Sequence, residues 1–496
     1  MKKLLSATLA ALIGMSSASV LAVNAAEAPG FVMADSDGDG EMSVQDATLI
    51  QKYLANLSNL ENKGLLASDV DGDGDVMIND ATHVQKLLVG LEDPNSLPSS
   101  ESDASIKKKG SSAMNEFSAK LLKSSVRQGK NTFVSPLSVM YALAMTANGA
   151  KGKTLDEMEK TLGMNNYEMN RFFQAYPSYL RYEDSSYIDD FGGYHPADRF
   201  NIANSIWINN SEKMPGVSKS FLQSSKDFYD AEITPLAFDD SAVSKINGWV
   251  NEKTDNMIPS IIDEIEPNAL MYLINAISFE ALWYEQYEDN QVKKLTFTDE
   301  NGNTTRSDYL CSVEDLYIHD GDKAEGVVKY YQSFNYAFAA LLPKEGTSLN
   351  SYVQSLTGER ISEILGDVNR DYDVYTRIPK FKVKYGDTLN DNLISMGMSS
   401  AFDNSADFSR MLSNPNGFPL ELKEVVHKTF IDLNEAGTRA AAVTAVIPNP
   451  GAAPDYEEPE RKYIYLTRPF VYMIINLDTN TPIFIGTLED LSSAIN

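Results

Sequence analysis

Hydrophobic positions along the chain fall into three regimes. A short apolar run, Leu4–Gly14, follows two lysines at the start. Between residues 27 and 92 apolar positions are sparse and take helical spacing only twice. Leu49, Ile50, Tyr53 and Leu54 lie within Ala47–Ala55, and Val84, Leu87 and Leu88 within Ala81–Val89. Beyond residue 110 apolar residues are dense. There Val425–Leu433 alternates with a period of two, and Tyr463–Thr467 and Phe470–Leu477 read as further strands.

Composition bounds what such a chain can do. Its 496 residues amount to about three domains at roughly 150 each. With 43% hydrophobic and 23% charged residues it can bury a large core, so neither a fibrous nor a disordered chain is expected. The formal charge of -28 argues against nucleic acid or an anionic membrane as partner. One cysteine, Cys311, excludes a disulfide framework and reads as a buried filler or an idle thiol. Residues 1–26 read as a secretory signal: Lys2 and Lys3, the apolar run, then small residues around Val23-Asn24-Ala25. Interrupted by Ser6, Ser16, Ser17 and Ser19, it is too short for a membrane span, and the mature chain is expected to be exported and soluble.

The sparse region, 27–92, carries an internal repeat. Asp35-Ser-Asp-Gly-Asp-Gly-Glu-Met-Ser-Val-Gln-Asp46 recurs 34 residues later as Asp69-Val-Asp-Gly-Asp-Gly-Asp-Val-Met-Ile-Asn-Asp80. Oxygens at loop positions 1, 3, 5, 7, 9 and 12 with glycine at 6 suit a hard cation of high coordination number, and calcium fits. In the first loop the donors are Asp35, Asp37, Asp39, the Glu41 carbonyl, Ser43 and Asp46. In the second they are Asp69, Asp71, Asp73, the Asp75 carbonyl and Asp80, with Met77 standing where an oxygen is usual. A helix follows each loop, and no helix of ordinary EF-hand length precedes it. This pattern resembles the dockerin domain of bacterial cellulosomes. The resemblance implies two calcium ions and a cohesin module as partner, contacted through Val44, Gln45, Ile78 and Asn79, with Lys52 and Lys86 nearby. Residues 93–109, beginning with the Pro/Ser/acid run Asp93–Asp103, read as a flexible tether.

The remaining residues, 110–496, offer little covalent chemistry. The four histidines are His83, His195, His319 and His427, and no Gly-x-Ser-x-Gly, His-Glu-x-x-His or phosphate loop is present. A glycosidase pair such as Glu280 with Glu285 carries almost no weight in so acidic a chain. The informative feature is the span Ala436–Arg461, 26 residues between strands, since loops beyond about 15 residues are usually functional or disordered. Its first half is small and apolar; its second half, Pro448–Pro459, is polar and proline-rich.

Glu435-Ala-Gly-Thr-Arg-Ala-Ala-Ala-Val-Thr444 resembles the reactive-loop hinge of inhibitory serpins. The likeness continues in Asn131–Val139, Asn204–Trp207, Leu273–Ala276 with Trp283, Ile378–Phe381, Ala406–Ser409, Val426–Lys428 and Arg468–Phe470. It implies an α+β fold with a large central sheet, two smaller sheets, surrounding helices and an exposed loop, here preceded by the small all-α dockerin. It also implies a serine protease inhibitor, not an enzyme. A protease cuts the loop, whose freed half enters the large sheet as a strand and carries the acylated protease along; reactive-loop insertion in serpins is itself a standard instance of strand addition. Strand alternation would turn Thr438, Ala440, Ala442 and Thr444 inward, all small, and leave Arg439, Ala441 and Val443 outward. Gly437 would give the hinge its freedom. Roughly ten ladder bonds at about 1 kcal/mol each put the driving force on the order of 10 kcal/mol.

By the same resemblance Ser135, Ser138, Asn275 and His427 form the buried cluster where the sheet parts. Trp283 and the pair Lys380–Glu435 guard the upper opening. Family spacing from Glu435 places the bait bond at Gly451–Ala452, with Ala453 and Tyr456 as alternatives, for a subtilisin- or elastase-like protease. Pro448 and Pro450 would stop ordered insertion near Ile447. The expected protein is monomeric, extracellular and cellulosome-associated. The Tyr/Asp-rich stretch Tyr182–Arg199 has no functional account.

Overall fold

The computed structural model describes residues 33–38, 42–55, 57–60, 63–71, 76–92, 103–180, 187–188, 194–195, 198–414, 418–438 and 459–494. The expected signal segment and the site residues Asp39, Glu41, Asp73, Asp75, Ala440, Ala442, Thr444, Gly451, Ala452, Ala453 and Tyr456 lie outside the described residues.

In the N-terminal repeats, helix α1 (Val44–Leu54) and helix α3 (Ile78–Leu88) each begin where the acidic loop ends, three residues earlier than hydrophobic spacing places them. The short helix α2 (Lys63–Ser68) precedes the second loop. Ala34, Ala47, Ile50, Val70, Ala81, Val84 and Leu87 close a small core of their own.

Helix α4 (Asp103–Ser125) corrects the expected tether: residues 103–109 are its first turns. Asp103 pairs with Arg171 at 2.6 Å and Lys107 with Asp478 at 2.7 Å, so charges that read as solvated linker are anchors. The buried stripe Ile106, Gly110, Ala113, Met114, Phe117 and Leu121 is helical in period, but glycine hides it. Gly110 is required by packing, since a Cβ there would stand 2.1 Å from the Phe172 ring.

The strands are β1 (Thr132–Val134), β2 (Tyr187–Ile188), β3 (Tyr194–His195), β4 (Arg199–Asn209), β5 (Glu232–Leu236), β6 (Met271–Leu282), β7 (Val292–Thr298), β8 (Thr304–Glu314) and β9 (Tyr317–Asp320). They continue with β10 (Ala324–Tyr330), β11 (Tyr336–Pro343), β12 (Tyr372–Pro379), β13 (Phe381–Thr388), β14 (Val426–Leu433), β15 (Gly437–Thr438), β16 (Glu460–Tyr465), β17 (Phe470–Asn476) and β18 (Thr481–Leu488). One six-stranded sheet runs β13-β14-β15-β6-β4-β5, a second β1-β18-β17-β11-β10-β9, and a four-stranded sheet β16-β12-β8-β7; β2 and β3 form a hairpin. Strands β17 and β18 are buried along their whole length, and β17 accordingly reads as a nearly continuous apolar run. β14 alternates buried and half-buried positions because only one of its faces meets the core. Helix α5 (Pro136–Ala147) starts under the β14–β6 region, with Ser135 as N-cap and Pro136 in the first turn.

Candidate functional site

The first sheet has an unusual centre. β15 pairs with β6 (Gly437 opposite Leu282, Thr438 opposite Ala281) and with β14 (Leu433 opposite Thr438). At the head of the sheet the two long edges therefore stand one strand apart. Among the described residues, this two-residue strand is all that joins β14 to β6. Only glycine fits the first position: a Cβ on Gly437 would lie 2.0 Å from the Ala281 carbonyl oxygen.

Thr438 is 3% exposed, and its hydroxyl shares a 2.5 Å hydrogen bond with the Tyr331 hydroxyl. Tyr331 stacks on Trp283 with centroids 4.6 Å apart. Trp283 in turn donates its indole N–H to the Asn434 carbonyl and its backbone N–H to the Ala436 carbonyl, both at 2.9 Å. The hinge is thus gripped from below by two stacked rings. At the rim Lys380 and Glu435 pair at 2.6 Å, partly exposed, which limits the pair to about 1 kcal/mol. Beneath the rings Lys329, 4% exposed, pairs with Glu314 at 2.8 Å and lies 4.7 Å from the Tyr287 ring centroid.

Lower in the sheet, both edges are tied to the first turn of α5. His427 Nε2, on β14, accepts from the Ser135 backbone N–H at 2.9 Å. On β6, Asn275 accepts from the Ser138 hydroxyl and donates to Asn204 Oδ1 at 2.8 Å. Asn204 donates onward to the Tyr229 carbonyl at 2.7 Å, and the Ser135 hydroxyl donates to the Ile483 carbonyl at 2.8 Å. Burial holds His427 at about 4, so it is neutral and its Nε2 is free to accept. Separating β14 from β6 breaks or re-pairs these bonds, which makes the cluster a latch between two arrangements of one sheet. Sequence motifs pointed to Ser135, Ser138, Asn275, His427, Trp283, Lys380, Glu435, Gly437 and Thr438, and the structure gathers them in these two places. Tyr331, Asn434 and the Lys329–Glu314 pair escaped the reading. A lysine inside the apolar run Val327–Tyr331 was the one available sign.

The acidic repeats build a second site twice. Asp46, fully buried, accepts from the backbone N–H groups of Ser36 (2.7 Å), Asp37 (3.1 Å) and Ser43 (2.6 Å). Asp80, also fully buried, accepts from Val70 (2.7 Å), Asp71 (3.3 Å) and Met77 (2.7 Å). Each closing carboxylate folds its loop back so that Asp35, Asp37 and Asp46, or Asp69, Asp71 and Asp80, bring oxygens within 4.8 Å of one another. Burial, with Asp71 adding to it, raises Asp80 above the usual carboxylate range, the penalty a divalent cation would remove. The donor set fits calcium. Ser43 hydrogen-bonds Asp46 through its backbone N–H and its hydroxyl, whereas Met77, 53% exposed, supplies only a backbone N–H. Val44, Gln45, Ile78 and Asn79 are exposed at the starts of α1 and α3.

The hinge of the long loop is already paired into the large sheet, above an aromatic clamp and a polar latch, and this arrangement defines the class of fold. The chain belongs to the serpin family. Residues 112–491 match Serpin (serine protease inhibitor), and residues 33–89 match the dockerin type I domain, a calcium-binding, cohesin-binding module. Intracellular coagulation inhibitor 2 of Tachypleus tridentatus is 28% identical over 391 residues, 76% of this chain and 90% of that protein. Iripin-2 of Ixodes ricinus is 29% identical over 398 residues, 76% and 93%. Among solved structures, the thermophilic serpin tengpin is similar in its native state (40% identity, TM-score 0.68, covering 77% of this chain and 94% of tengpin). Its latent state is similar as well (38%, TM-score 0.65, 77% and 98%). The protein is a serpin with an N-terminal dockerin, and its family acts on serine proteases as an inhibitor. No helix among the described residues is long and apolar enough to cross a membrane.

Of the two readings offered for Cys311, a buried filler or an idle thiol, the half-buried free cysteine on β8 agrees with the second, with burial raising its thiol. A second titratable group bears on the sheet head. Asp198, just before β4, accepts from the Ser333 hydroxyl, has a buried Oδ1 without a partner, and is pushed up to about 7 by burial. A carboxyl raised in the fold contributes stability present below its unfolded value of about 3.9, lost as pH rises through 7. His427, depressed from 6.5 to about 4, acts oppositely: its contribution grows between pH 4 and 6.5. The two slopes oppose each other, and Glu489, which burial also pushes up to about 7, adds to the side of Asp198. Asp198→Asn is expected to remove the Asp198 share, so its melting temperature, followed from pH 4.5 to 8, should rise by several degrees more than that of the wild type. Parallel curves would remove Asp198 as a titrating group.

Proposed function

We propose that this protein is a secreted, cellulosome-attached suicide inhibitor of subtilisin- or elastase-like serine proteases. Residues 1–26 direct export, 27–92 dock to a cohesin with two calcium ions bound, 93–102 form the tether, and the serpin domain begins with α4. Cleavage at Gly451–Ala452, or at Ala453 or Tyr456, frees the loop. Thr438, Ala440, Ala442 and Thr444 then face inward as the strand extends between β14 and β6.

The observation that carries this reading is β15: the hinge already pairs with both edges, so each further residue lengthens an existing ladder rather than nucleating one. No covalent chemistry is asked of the serpin. It prevents the protease from finishing its own reaction by moving the acylated enzyme away from its catalytic geometry. Support for cohesin docking comes from repetition: Val44 (63% exposed) and Leu57 (78%) recur 34 residues later as Ile78 (55%) and Leu91 (77%). These are exposed apolar side chains at equivalent places at the start of each helix and just beyond its end.

Incubation with a subtilisin-type and an elastase-type protease should give a complex that survives denaturing electrophoresis, and mass spectrometry of the released C-terminal fragment should place the cut between Ile447 and Glu457. Complete loop cleavage with no such complex would leave a serpin-fold binding module instead.

A further inference from the structure

The outer face of the four-stranded sheet carries side chains that neither the trap nor the calcium loops use. On β16, Arg461, Tyr463 and Tyr465 alternate outward; on β12, Asp373, Tyr375 and Arg377 stand opposite them in register. Val313 and Cys311 continue the rows on β8, opposite Tyr375 and Arg377. The face is continuous. Tyr375 stacks on Tyr463 with centroids 5.4 Å apart, the Arg377 guanidinium lies 3.8 Å from the Tyr465 ring centroid, and Arg461 lies 5.9 Å from Tyr375. Tyr463 is 55% exposed and Val313 48%. The opposite positions, Val374, Thr376, Ile378 and Ile464, are buried, so the tyrosines are not needed to fill the core.

Tyrosine and arginine are the side chains enriched at protein interfaces, because they combine large rigid area with a polar end. Here they are concentrated in a chain of net charge -28, on a face where Arg377, Arg461 and the nearby exposed Lys293 outnumber Asp373. Position decides the occupant. β16 begins at Glu460, immediately after the reactive segment, and Tyr463 is 12 residues from Gly451, at most about 40 Å of extended chain. A protease of some 270 residues is itself about 45 Å across. An enzyme closed on the bait is therefore within contact distance of this face.

We propose that Tyr375, Arg377, Arg461, Tyr463 and Tyr465 form a docking surface for the target protease, engaging a rim of its active-site cleft that carries carboxylates and apolar side chains. This rests on the inhibitory reading above and names the kind of enzyme it selects. Overall charge repels an acidic protease at long range, but at physiological salt that field is screened beyond about 8 Å, and the cationic face acts at contact. Its effect falls on the encounter, before the bait is cut, and not on the trap.

The test uses the full-length protein, with Tyr463→Ala and the double variant Arg377→Glu, Arg461→Glu, against two subtilisin-type proteases, one of acidic and one of basic isoelectric point. The measurements are the second-order association rate at low and high salt, the stoichiometry of inhibition, and the melting temperature after loop cleavage. For the acidic enzyme the double variant should slow association at least tenfold and flatten its salt dependence, Tyr463→Ala should slow it several-fold, and stoichiometry and cleaved-form melting should stay as in the wild type. The basic enzyme should not be slowed by the charge reversal. Wild-type rates in both variants overturn the docking surface and leave the inhibitor intact, as does a loss accompanied by altered stoichiometry, which marks structural damage. A wild type that is cut without forming any complex removes the inhibitory reading and the docking surface with it.

Discussion

Thr438→Arg will turn the protein from a trap into a substrate. Thr438 sits between β14 and β6, 3% exposed, with its hydroxyl on Tyr331 and the Trp283 ring beyond. Two of the nearby carboxylates are already taken: Lys329 holds Glu314, and Lys380 holds Glu435 at the rim. Burying the unpaired guanidinium costs several kcal/mol, against a driving force on the order of 10 kcal/mol for the whole strand. Because Thr438 already lies between both edges before cleavage, the arginine expels the hinge, and insertion must then start from an unpaired loop. Insertion competes with deacylation of the protease, and each 1.36 kcal/mol on the insertion barrier is tenfold in that race. The expected results are normal loop cleavage, a stoichiometry of inhibition raised more than tenfold, and a smaller rise in melting temperature on cleavage. Wild-type stoichiometry in this variant would mean that insertion does not need the hinge seated between β14 and β6. Thr438→Ser, which keeps the hydroxyl, should behave as the wild type.

Asp80→Ala or Asp46→Ala will abolish cohesin capture while leaving the serpin domain folded. Each of these carboxylates is fully buried and accepts from three backbone N–H groups of its loop. Truncation strands three donors at about 1–3 kcal/mol apiece and removes the ligand that would close the calcium loop. A core as small as that around Ile50, Val70, Val84 and Leu87 cannot absorb such a loss. Calorimetry should show the low-temperature transition of the repeats vanish and the serpin transition persist, and chelation of the wild-type protein should produce the same profile. Of the two loops, the second should release calcium first, because Met77 contributes no side-chain oxygen where Ser43 does. Two calcium equivalents bound by Asp80→Ala with unchanged affinity would overturn the ligand assignment.

Both sites were legible from short-range pattern to an unequal degree. The repeated acidic loops announce themselves because calcium ligands come from one contiguous stretch: the spacing of Asp35, Asp37 and Asp46 along the chain is also their arrangement in space. The sheet-head site is assembled from residues hundreds of positions apart. Ser135 meets His427, and Tyr331 meets Thr438, through the order in which strands are laid side by side. Family likeness named most of these residues and paired Lys380 with Glu435, but it did not supply Tyr331, Asn434 or the Lys329–Glu314 pair. The tether misled for the opposite reason: residues 103–109 are mostly polar, and Arg171, Asp478 and Glu168, all supplied by distant elements, anchor them in a helix.

Amino-acid order alone thus determined the acidic spacing of the two loops, the strand alternation of Val426–Leu433, and the small residues along the hinge, since each depends on neighbours within about a dozen positions. Long-range packing decided that the two edges of the large sheet stand one strand apart at its head, that His427 is neutral and latched, and that three tyrosines and two arginines share one face beside the loop. Those properties depend on which strands become neighbours and how far water is excluded between them, and neither quantity is written in any local stretch of the chain.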